Sequence, residues 1–331
     1  MKKLLLLLLI GILLLVSACS DNSSNASGDG SVKLSIAHIF PNTHPGGIYL
    51  DKLAERLEEE TEGKVTLQVN HNAVLGSEAE EMEQMQAGNL DMALLYGSSN
   101  FQNFDPAFGV EELPFIFSDV EHARNAHDGA YGDKVKEMAK EYNFEVISFW
   151  ENGFRHFTNN KKPIVEPSDM SGIKFRSAEI PLRLEMFKLL DANAISMGFD
   201  ELFTGLQQGT VDGQENPLAT IDASKFYEVQ DYLSISGHIY NSAPLTISTN
   251  SLSKLSEDQQ EILFSLAEEL KIEQQKTLDD QNQELEQKLA DAGMEINEVN
   301  RDAFVEAVQP LWKSFAEKNG DELMNLIIDA E

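Results

Sequence analysis

Cysteine is almost absent from this chain of 331 residues, because Cys19 is the only one. A single thiol cannot form a disulfide within the chain, and sites built from several cysteine ligands are excluded with it. Basic residues are scarce as well: 25 Lys and Arg stand against 56 Asp and Glu, a formal net charge of -31. Nucleic-acid binding needs Lys and Arg to neutralise phosphates, so the composition argues strongly against a nucleic-acid partner.

Motifs for common enzyme chemistry are also missing. The sequence has no phosphate-binding loop, no G-x-S-x-G, no H-E-x-x-H and no dinucleotide-type glycine pattern. The seven histidines are scattered, and only His122 and His127 lie close together, at a spacing that does not share a helix face. Nothing therefore indicates an enzyme, a metal site or a cofactor, and a hydrolase is disfavoured because no nucleophile constellation is present.

The N-terminus indicates export. Lys2 and Lys3 precede the apolar run Leu4–Val16, which has the build of a secretory signal and is short for a bilayer span. The run ends in "LVSAC", which resembles a bacterial lipobox. We therefore predict a signal peptide over residues 1–18 and lipidation of Cys19, which would anchor the protein to the cell membrane and leave no catalytic thiol.

A polar linker follows. The segment "SDNSSNASGDGS" contains no aliphatic residue larger than Ala, so residues 19–31 are predicted to be a lipidated flexible tether. Random-coil scaling gives such a tether a span of roughly 20 Å, enough to hold a folded body away from a membrane. The folded part should begin near Val32.

Strand and helix patterns alternate from that point. "VKLSIAHIF", "KVTLQVN" and "LDMALLY" predict strands, and Ser77 with Glu80 resembles a capping box that opens the helix before the third strand. A second α/β unit begins at "GIKFRS". Such alternation favours mostly parallel sheets covered by helices.

Two long segments, one β-prone and one helical, are predicted to connect the two α/β units. The β-prone stretch Tyr232–Ser248 is long enough to run from the second unit back into the first. Ser256 and Gln259 form another capping box, and the helical pattern continues to about Ala292. The pattern fits one long helix that braces both units or two helices with a weak break.

Polar groups concentrate at three places. Asp-Gly and Asn-Pro in "VDGQENP" predict a turn between helices. Arg155 in "GFRHF" and Arg176 in "IKFR" lie on predicted strands among aromatic residues. A guanidinium fork fits a carboxylate, although the same arginines could equally pair with surface acids.

Three blocks carry a family resemblance: "WENGFRHFTNNKKPIVEPSDMSGIKFRS", "MGFDELFTGLQQGTVDGQENP" and "KFYEVQDYLSISGHIY". In this order they resemble the DctP-type substrate-binding proteins of TRAP (tripartite ATP-independent periplasmic) transporters, over essentially the whole mature chain. The resemblance implies a two-lobed α/β fold of the periplasmic-binding-protein type (type II-like), with a ligand cleft, crossing strands and a long bridging helix. We expect a first lobe of residues 32–152 plus about 241–281 and a second of 153–240 plus about 282–331.

The resemblance also implies site residues. Arg176 corresponds to the arginine that grips the ligand carboxylate, Arg155 to a second arginine, Asn216 to a ligand-binding asparagine presented by the "VDGQENP" turn, and Phe199 to an aromatic wall. His38, Glu78 and Glu179 are further candidate contacts that would suit the hydroxyls of a sugar acid, and His38 fits a hydrogen-bonded core histidine equally well.

The implied ligand is a small organic acid. "LLYGSS" lacks the glutamate of sialic-acid-binding members, which argues against sialic acid. A C4-dicarboxylate and a sugar acid such as a uronate both remain open. The implied partner is a membrane permease with small and large subunits, which places the protein outside the cytoplasm, in the periplasm or on the cell surface. The alternative is the ligand-binding component of an extracytoplasmic sensor system.

Overall fold

The computed structural model describes residues 31–330, which contain two β-sheets. The predicted signal peptide, the lipidation site at Cys19 and the tether up to residue 30 lie outside the described residues. Within residues 31–330, no helix combines the length and the apolar character that crossing a bilayer would need. The same residues contain no group of three or more side chains arranged to hold a metal ion.

Strands and helices alternate along the chain. In chain order, the strands of the described residues are β1 (Val32–Ala37), β2 (Val65–Asn70), β3 (Met92–Leu94), β4 (Phe144–Phe154), β5 (His156–Asn159), β6 (Lys174–Ser177), β7 (Asn193–Ser196), β8 (Gly213–Asn216), β9 (Tyr232–Ile235), β10 (Tyr240–Ser248) and β11 (Glu295–Glu298). The α-helices are α1 (Pro45–Glu60), α2 (Glu78–Ala87), α3 (Val120–Asp128), α4 (Ala130–Glu141), α5 (Pro181–Leu189), α6 (Phe199–Gln207), α7 (Leu218–Ala223), α8 (Thr249–Leu252), α9 (Glu257–Asp291), α10 (Arg301–Asn319) and α11 (Glu322–Ile328).

The first sheet has the strand order β2-β1-β3-β10-β4. β1 is parallel to β2 and β3, whereas β10 is antiparallel to β3 and β4. The predicted capping box is present: the Ser77 side chain accepts from the Glu80 amide, and the Glu80 carboxylate accepts from the Ser77 amide. Gly88 ends this helix in the left-handed conformation, at φ 76°. We call this sheet with its helices the first lobe.

The second sheet has the strand order β11-β9-β5-β8-β6-β7. β6 is parallel to β7 and β8, and β5 is antiparallel to β8 and β9. We call this sheet with its helices the second lobe.

The turn predicted at "VDGQENP" is wrong for its central residues. Gly213–Asn216 forms β8, which is buried and pairs with β5 on one side and β6 on the other. The turn dipeptides lie at the ends of this strand, and ion pairs and hydrogen bonds satisfy its polar side chains. Gly213 is needed because a Cβ there would collide with the Thr158 carbonyl oxygen.

Four segments of residues 31–330 cross between the lobes, the last of them between α10 and α11. β4 leads through Arg155 into β5, and β9 returns through residues 236–239 into β10. The third crossing is α9, a single helix of 35 residues, so the alternative of two helices with a break is wrong. At 1.5 Å per residue α9 is about 50 Å long, and it packs on α1 and β4 of the first lobe and on α7 of the second. The predicted two-lobed fold, its crossing strands and its long bridging helix are confirmed.

The C-terminal residues divide between the lobes. α10 packs on α5 of the second lobe, whereas α11 packs on α3 and α4 of the first. Leu323 and Ile327 of α11 are buried in the same apolar cluster as Ala126 and Val135 of those two helices. The exact lobe boundaries stay a prediction, but this last helix extends the first lobe beyond the segments assigned to it from sequence.

Candidate functional site

A cavity opens between the two lobes, beyond the carboxyl ends of β1, β3, β6 and β7. The cavity has a volume of about 40 Å³ for water-sized molecules and is partly open to solvent. Ligands bind at this edge in open α/β sheets, because loops and helix starts converge there. The polar side chains that line the cavity are Ser77, Glu78, Asn100, Gln102, Asn103, Arg176 and Glu179.

Four of the seven predicted ligand contacts line this cavity: Glu78 from the first lobe and Arg176, Glu179 and Phe199 from the second. Arg155, Asn216 and His38 do not line it. The sequence prediction therefore brings together one arginine, two carboxylates and one aromatic ring across the cleft.

Arg176 is the cationic group of the cavity. It is only 4 % exposed, and its Nε donates to the Met197 carbonyl oxygen at 2.9 Å. Within residues 31–330, neither terminal nitrogen has a hydrogen-bond acceptor. The guanidinium carbon lies 5.9 Å from the centre of the Phe199 ring. Burial lowers the pKa of Arg176 to about 10, so the side chain stays charged at neutral pH and has donors directed at no protein group.

Glu78 faces Arg176 from the opposite lobe as the first residue of α2. Its Oε1 accepts from the Tyr96 amide at 2.6 Å and from Asn100 Nδ2 at 3.0 Å. Its Oε2 accepts no hydrogen bond from the part of the chain that the structure describes. Burial raises the pKa of Glu78, and the Tyr96 amide only partly opposes this effect. The result is a fixed carboxyl group with one oxygen available to a bound molecule.

Glu179 and Phe199 complete the second-lobe side of the cavity. Glu179 is exposed at its rim, whereas Phe199 is half-buried as the first residue of α6. The Phe199 ring lies 4.6 Å from Phe40 and 6.0 Å from Phe226, so it belongs to an aromatic cluster as well as to the cavity wall.

Arg155 lies behind the cavity in a fully paired environment. Its Nε and one terminal nitrogen donate to the Glu215 carboxylate, and the same terminal nitrogen donates to Asn216 Oδ1 at 2.9 Å. The other terminal nitrogen donates to Asn241 Oδ1 at 3.3 Å. Burial and the nearby Arg183 lower the pKa of Arg155 despite the Glu215 carboxylate. All three guanidinium nitrogens of Arg155 therefore donate hydrogen bonds to groups of the protein itself.

Arg183 forms the second half of this arrangement, which we call the Arg155–Arg183 network. Arg183 is 1 % exposed and donates to both oxygens of Glu112, at 2.7 Å and 2.6 Å through one terminal nitrogen. Its other terminal nitrogen donates to Glu215 Oε1 at 3.1 Å. Burial alone would raise the pKa of Glu215, but the two arginines hold that pKa well below its ordinary value.

Sequence reasoning missed Arg183, Glu112 and Glu215. A usable signal existed for two of them: Arg183 lies in the apolar stretch "IPLRLEMF", and Glu112 precedes "LPFIF". An ion within an apolar segment is buried only when it is paired, so each predicts a partner elsewhere. Nothing in the local pattern says which partner it is, because 56 acids compete for the role.

Asn216 and His38 are both buried away from the cavity. Asn216 accepts from Arg155 and donates to Gln214, so it belongs to the Arg155–Arg183 network. His38 lies within a chain of hydrogen bonds: its Nδ1 is 3.0 Å from the Tyr96 hydroxyl, and its Nε2 is 2.7 Å from His71 Nδ1. Burial, followed by His71, lowers the pKa of His38 to about 3. Of the two predicted readings of His38, the structure favours the core histidine.

Comparisons with known proteins point to one family. The model of the DctP family, "Bacterial extracellular solute-binding protein, family 7", matches residues 36–319. The 2,3-diketo-L-gulonate-binding periplasmic protein YiaO of Escherichia coli (strain K12) is 33% identical over 258 residues, 78% of either chain.

Solved structures similar to this chain are TRAP periplasmic solute-binding proteins as well. A TRAP periplasmic solute-binding protein from Polaromonas sp. JS666, bound to D-erythronate, has a TM-score of 0.87 at 33% identity, covering 91% of this chain and 99% of that one. Another, from Sulfurospirillum deleyianum with bound succinate, has a TM-score of 0.85 at 29% identity, covering 90% of this chain and 99% of that one.

Proposed function

The chain belongs to the DctP family of TRAP solute-binding proteins, and from this membership we propose that it captures a small organic acid outside the cytoplasm and delivers it to a TRAP permease. The lobes close around the acid in the cleft, which excludes water and strengthens the polar contacts there. The protein binds its ligand without converting it. The permease, with its small and large membrane subunits, takes up the released acid.

The observation that carries this proposal is the state of Arg176. Arg176 lines the cavity, and its two terminal nitrogens have no acceptor in residues 31–330, while its Nε is anchored on Met197. A carboxylate fits such a fork, and each charge-assisted hydrogen bond contributes about 1.5–3 kcal/mol. Two such bonds supply a large part of the roughly 8 kcal/mol that micromolar affinity requires.

Charge balance favours a ligand with a single carboxylate. Arg155, Arg176 and Arg183 bring three positive charges to the region, and Glu112 and Glu215 pair with two of them. Within residues 31–330 Arg176 is the one of the three without an ion-pair partner, so a single ligand carboxylate would pair with it, while Glu78 already adds a negative charge on the other side of the cavity. A second carboxylate on the ligand would have to lie near Glu78 or Glu179, where like charges repel.

The first-lobe side of the cavity suits hydroxyl groups instead. The free Glu78 oxygen and the Asn100 amide oxygen are acceptors, and Gln102 and Asn103 offer amide donors and acceptors. We therefore favour a polyhydroxy monocarboxylic acid, a sugar acid, over a C4-dicarboxylate. The similar proteins bind both classes, since D-erythronate and succinate are each found in one of the related structures.

Arg155 and Asn216 take a supporting role in this proposal. They hold each other and Glu215 behind the cavity, so they fix the second-lobe strands from which Arg176 projects. The lipidated Cys19 and the tether keep the whole protein at the membrane, where the permease lies. At physiological salt the Debye length is only about 8 Å, so the local arginines outweigh the distant acidic surface.

A thermal-shift and calorimetry screen tests the proposal. Sugar acids such as D-erythronate and D-glucuronate, C4-dicarboxylates such as succinate, and sialic acid are each added to the wild type, to Arg176→Ala and to the matched control Arg56→Ala. Arg56 pairs with Glu60 and Glu269 on the surface. Bound ligand raises stability by about 2.7 kcal/mol at a hundred times its Kd.

We expect a sugar acid to shift the wild type and the control, and to leave Arg176→Ala unshifted. A shift by succinate and not by any sugar acid would overturn the ligand class. No shift with any acid, or an equal shift in Arg176→Ala, would overturn the arginine clamp.

A further inference from the structure

Besides the Arg183–Glu112 ion pair, two further side-chain contacts join the lobes outside the crossing segments. Phe40, in the loop after β1, contacts Phe199 of the second lobe, with ring centres 4.6 Å apart. His44, which precedes α1, lies with its Nε2 at 3.2 Å from Thr220 Oγ1 on α7. All four residues are far in sequence from any crossing segment, so these contacts depend on how the lobes meet.

The apolar contact is well packed on the first-lobe side. Phe40 is 1 % exposed, and its ring lies 4.1 Å from that of Tyr96. Phe199 both meets Phe40 and lines the cavity beside Arg176. Moving the lobes apart would expose the Phe40 face and part of the cavity wall together.

The polar contact has a fixed direction. His44 caps α1, and its Nδ1 accepts a hydrogen bond from the Gly46 amide at 3.1 Å. An Nδ1 that accepts carries no proton, so in the neutral imidazole the proton lies on Nε2, which donates to the Thr220 hydroxyl. The bond to the second lobe is therefore set by the helix cap in the first.

Close packing holds this cap in place. A Cβ on Gly46 would collide with the Tyr96 hydroxyl, so α1 can begin this near the first sheet only with glycine there. His44 is 1 % exposed and Thr220 is fully buried. Within residues 31–330, neither side chain has another partner in the opposite lobe, so opening would leave two polar groups without their bond.

We propose that Phe40, His44, Phe199 and Thr220 form a latch that holds the closed arrangement of the lobes, with His44 and Thr220 as its positioning residues. This inference rests on the proposed function, because it assigns the latch to the closure that traps the acid. The latch couples closure to ligand binding, since Phe199 belongs to both the latch and the cavity wall.

The test measures the distance between the lobes in solution. The full chain carries Cys19→Ser, which removes its only cysteine, and spin labels are placed on Glu59→Cys of α1 and Glu201→Cys of α6, both exposed. Double electron–electron resonance then gives the ratio of short to long interlobe distances, alone and with millimolar D-erythronate, D-glucuronate or succinate. The variants are Thr220→Val, which removes the hydroxyl, and Thr220→Ser, which keeps it.

We expect Thr220→Val to lower the short-to-long ratio about three- to tenfold, the range of one buried neutral hydrogen bond, and Thr220→Ser to leave it unchanged. His44→Asn is the second variant, because Asn keeps the helix cap and is too short to reach Thr220. It should lower the ratio as Thr220→Val does.

Equal ratios in Thr220→Val and Thr220→Ser would overturn the latch, as would a wild type that never shows the short distance. The proposed function fails separately. If the short distance depends on Thr220 but responds to none of the acids, the latch holds and the assignment of an acid ligand is wrong.

Discussion

The cavity beside Arg176 and the Arg155–Arg183 network differ in how their charges are compensated. In the network, carboxylates within the chain accept from both arginines, and each of the four ions is 3 % exposed or less. Arg176 is nearly as buried, yet its charge lacks such a partner. A buried, uncompensated charge is unfavourable unless a ligand completes it. Among these buried arginines, the completeness of pairing distinguishes Arg176, which we propose to bind the ligand, from Arg155 and Arg183, whose charges are compensated within the protein.

The largest expected effect breaks the network. Glu215→Ala leaves Arg155 and Arg183 buried with less compensation, and removing one partner of a buried ion pair typically costs about 3–5 kcal/mol of unfolding free energy. Arg176→Ala should instead abolish acid binding with little loss of stability, because within residues 31–330 no carboxylate forms an ion pair with Arg176. Urea unfolding of both variants measures this contrast, with Glu286→Ala on the exposed face of α9 as control.

The comparison fails if Arg176→Ala unfolds as readily as Glu215→Ala. In that case the charge of Arg176 would be compensated within the chain, and its free terminal nitrogens would not indicate a ligand.

The pH dependence of the unfolding free energy distinguishes buried ion pairs from buried groups that are neutral in the folded protein. His38 has a pKa of about 3 in the folded protein against an ordinary value of 6.5, so the unfolded chain binds a proton that the folded chain does not. Its contribution to stability is complete above pH 6.5 and is lost as the pH falls toward 3, about 2 kcal/mol by pH 5. Glu215, whose pKa is held well below its ordinary value, keeps its full contribution to stability down to about pH 4.5 and loses it only as the pH falls further.

The measurement is the unfolding free energy from pH 7 to pH 5, in wild type and His38→Gln. Burial also lowers the pKa of His44, His156 and His238, so the wild type should lose stability steeply over this range. The variant should lose stability with a slope smaller by about one proton. An unchanged slope would mean that His38 takes up its proton in the folded protein.

Much of this arrangement was predictable from sequence. Periodicity and capping boxes located α2 and α9 and the βαβαβ order of the first lobe, since those signals are local. The strand β8 was missed, because its turn dipeptides lie at its ends and its polar residues gave no apolar pattern. Those residues can be buried because Arg155 and Arg183, which belong to other parts of the chain, donate hydrogen bonds to Glu215 of β8.

The site was predictable only in part, for the same reason. Family resemblance brought Arg176, Phe199, Glu78 and Glu179 to one cavity, as the structure has them. It assigned both Arg176 and Arg155 to the ligand pocket, whereas in the structure Arg155 is paired with Glu215 and Arg176 is not. Pairing across 60 or 71 residues of sequence leaves no trace in a local pattern.

The smallest expected effect concerns the ring beside Arg176. Phe199→Leu keeps an apolar side chain against Phe40 but removes the aromatic face near the guanidinium, an interaction of about 0.5–1 kcal/mol. Affinity for the bound acid should fall about two- to fivefold by calorimetry. Phe40→Leu serves as the control, because it alters the same aromatic contact from the first lobe and leaves the face toward Arg176 intact. If both variants weaken binding equally, Phe199 acts through closure of the lobes and not through the arginine.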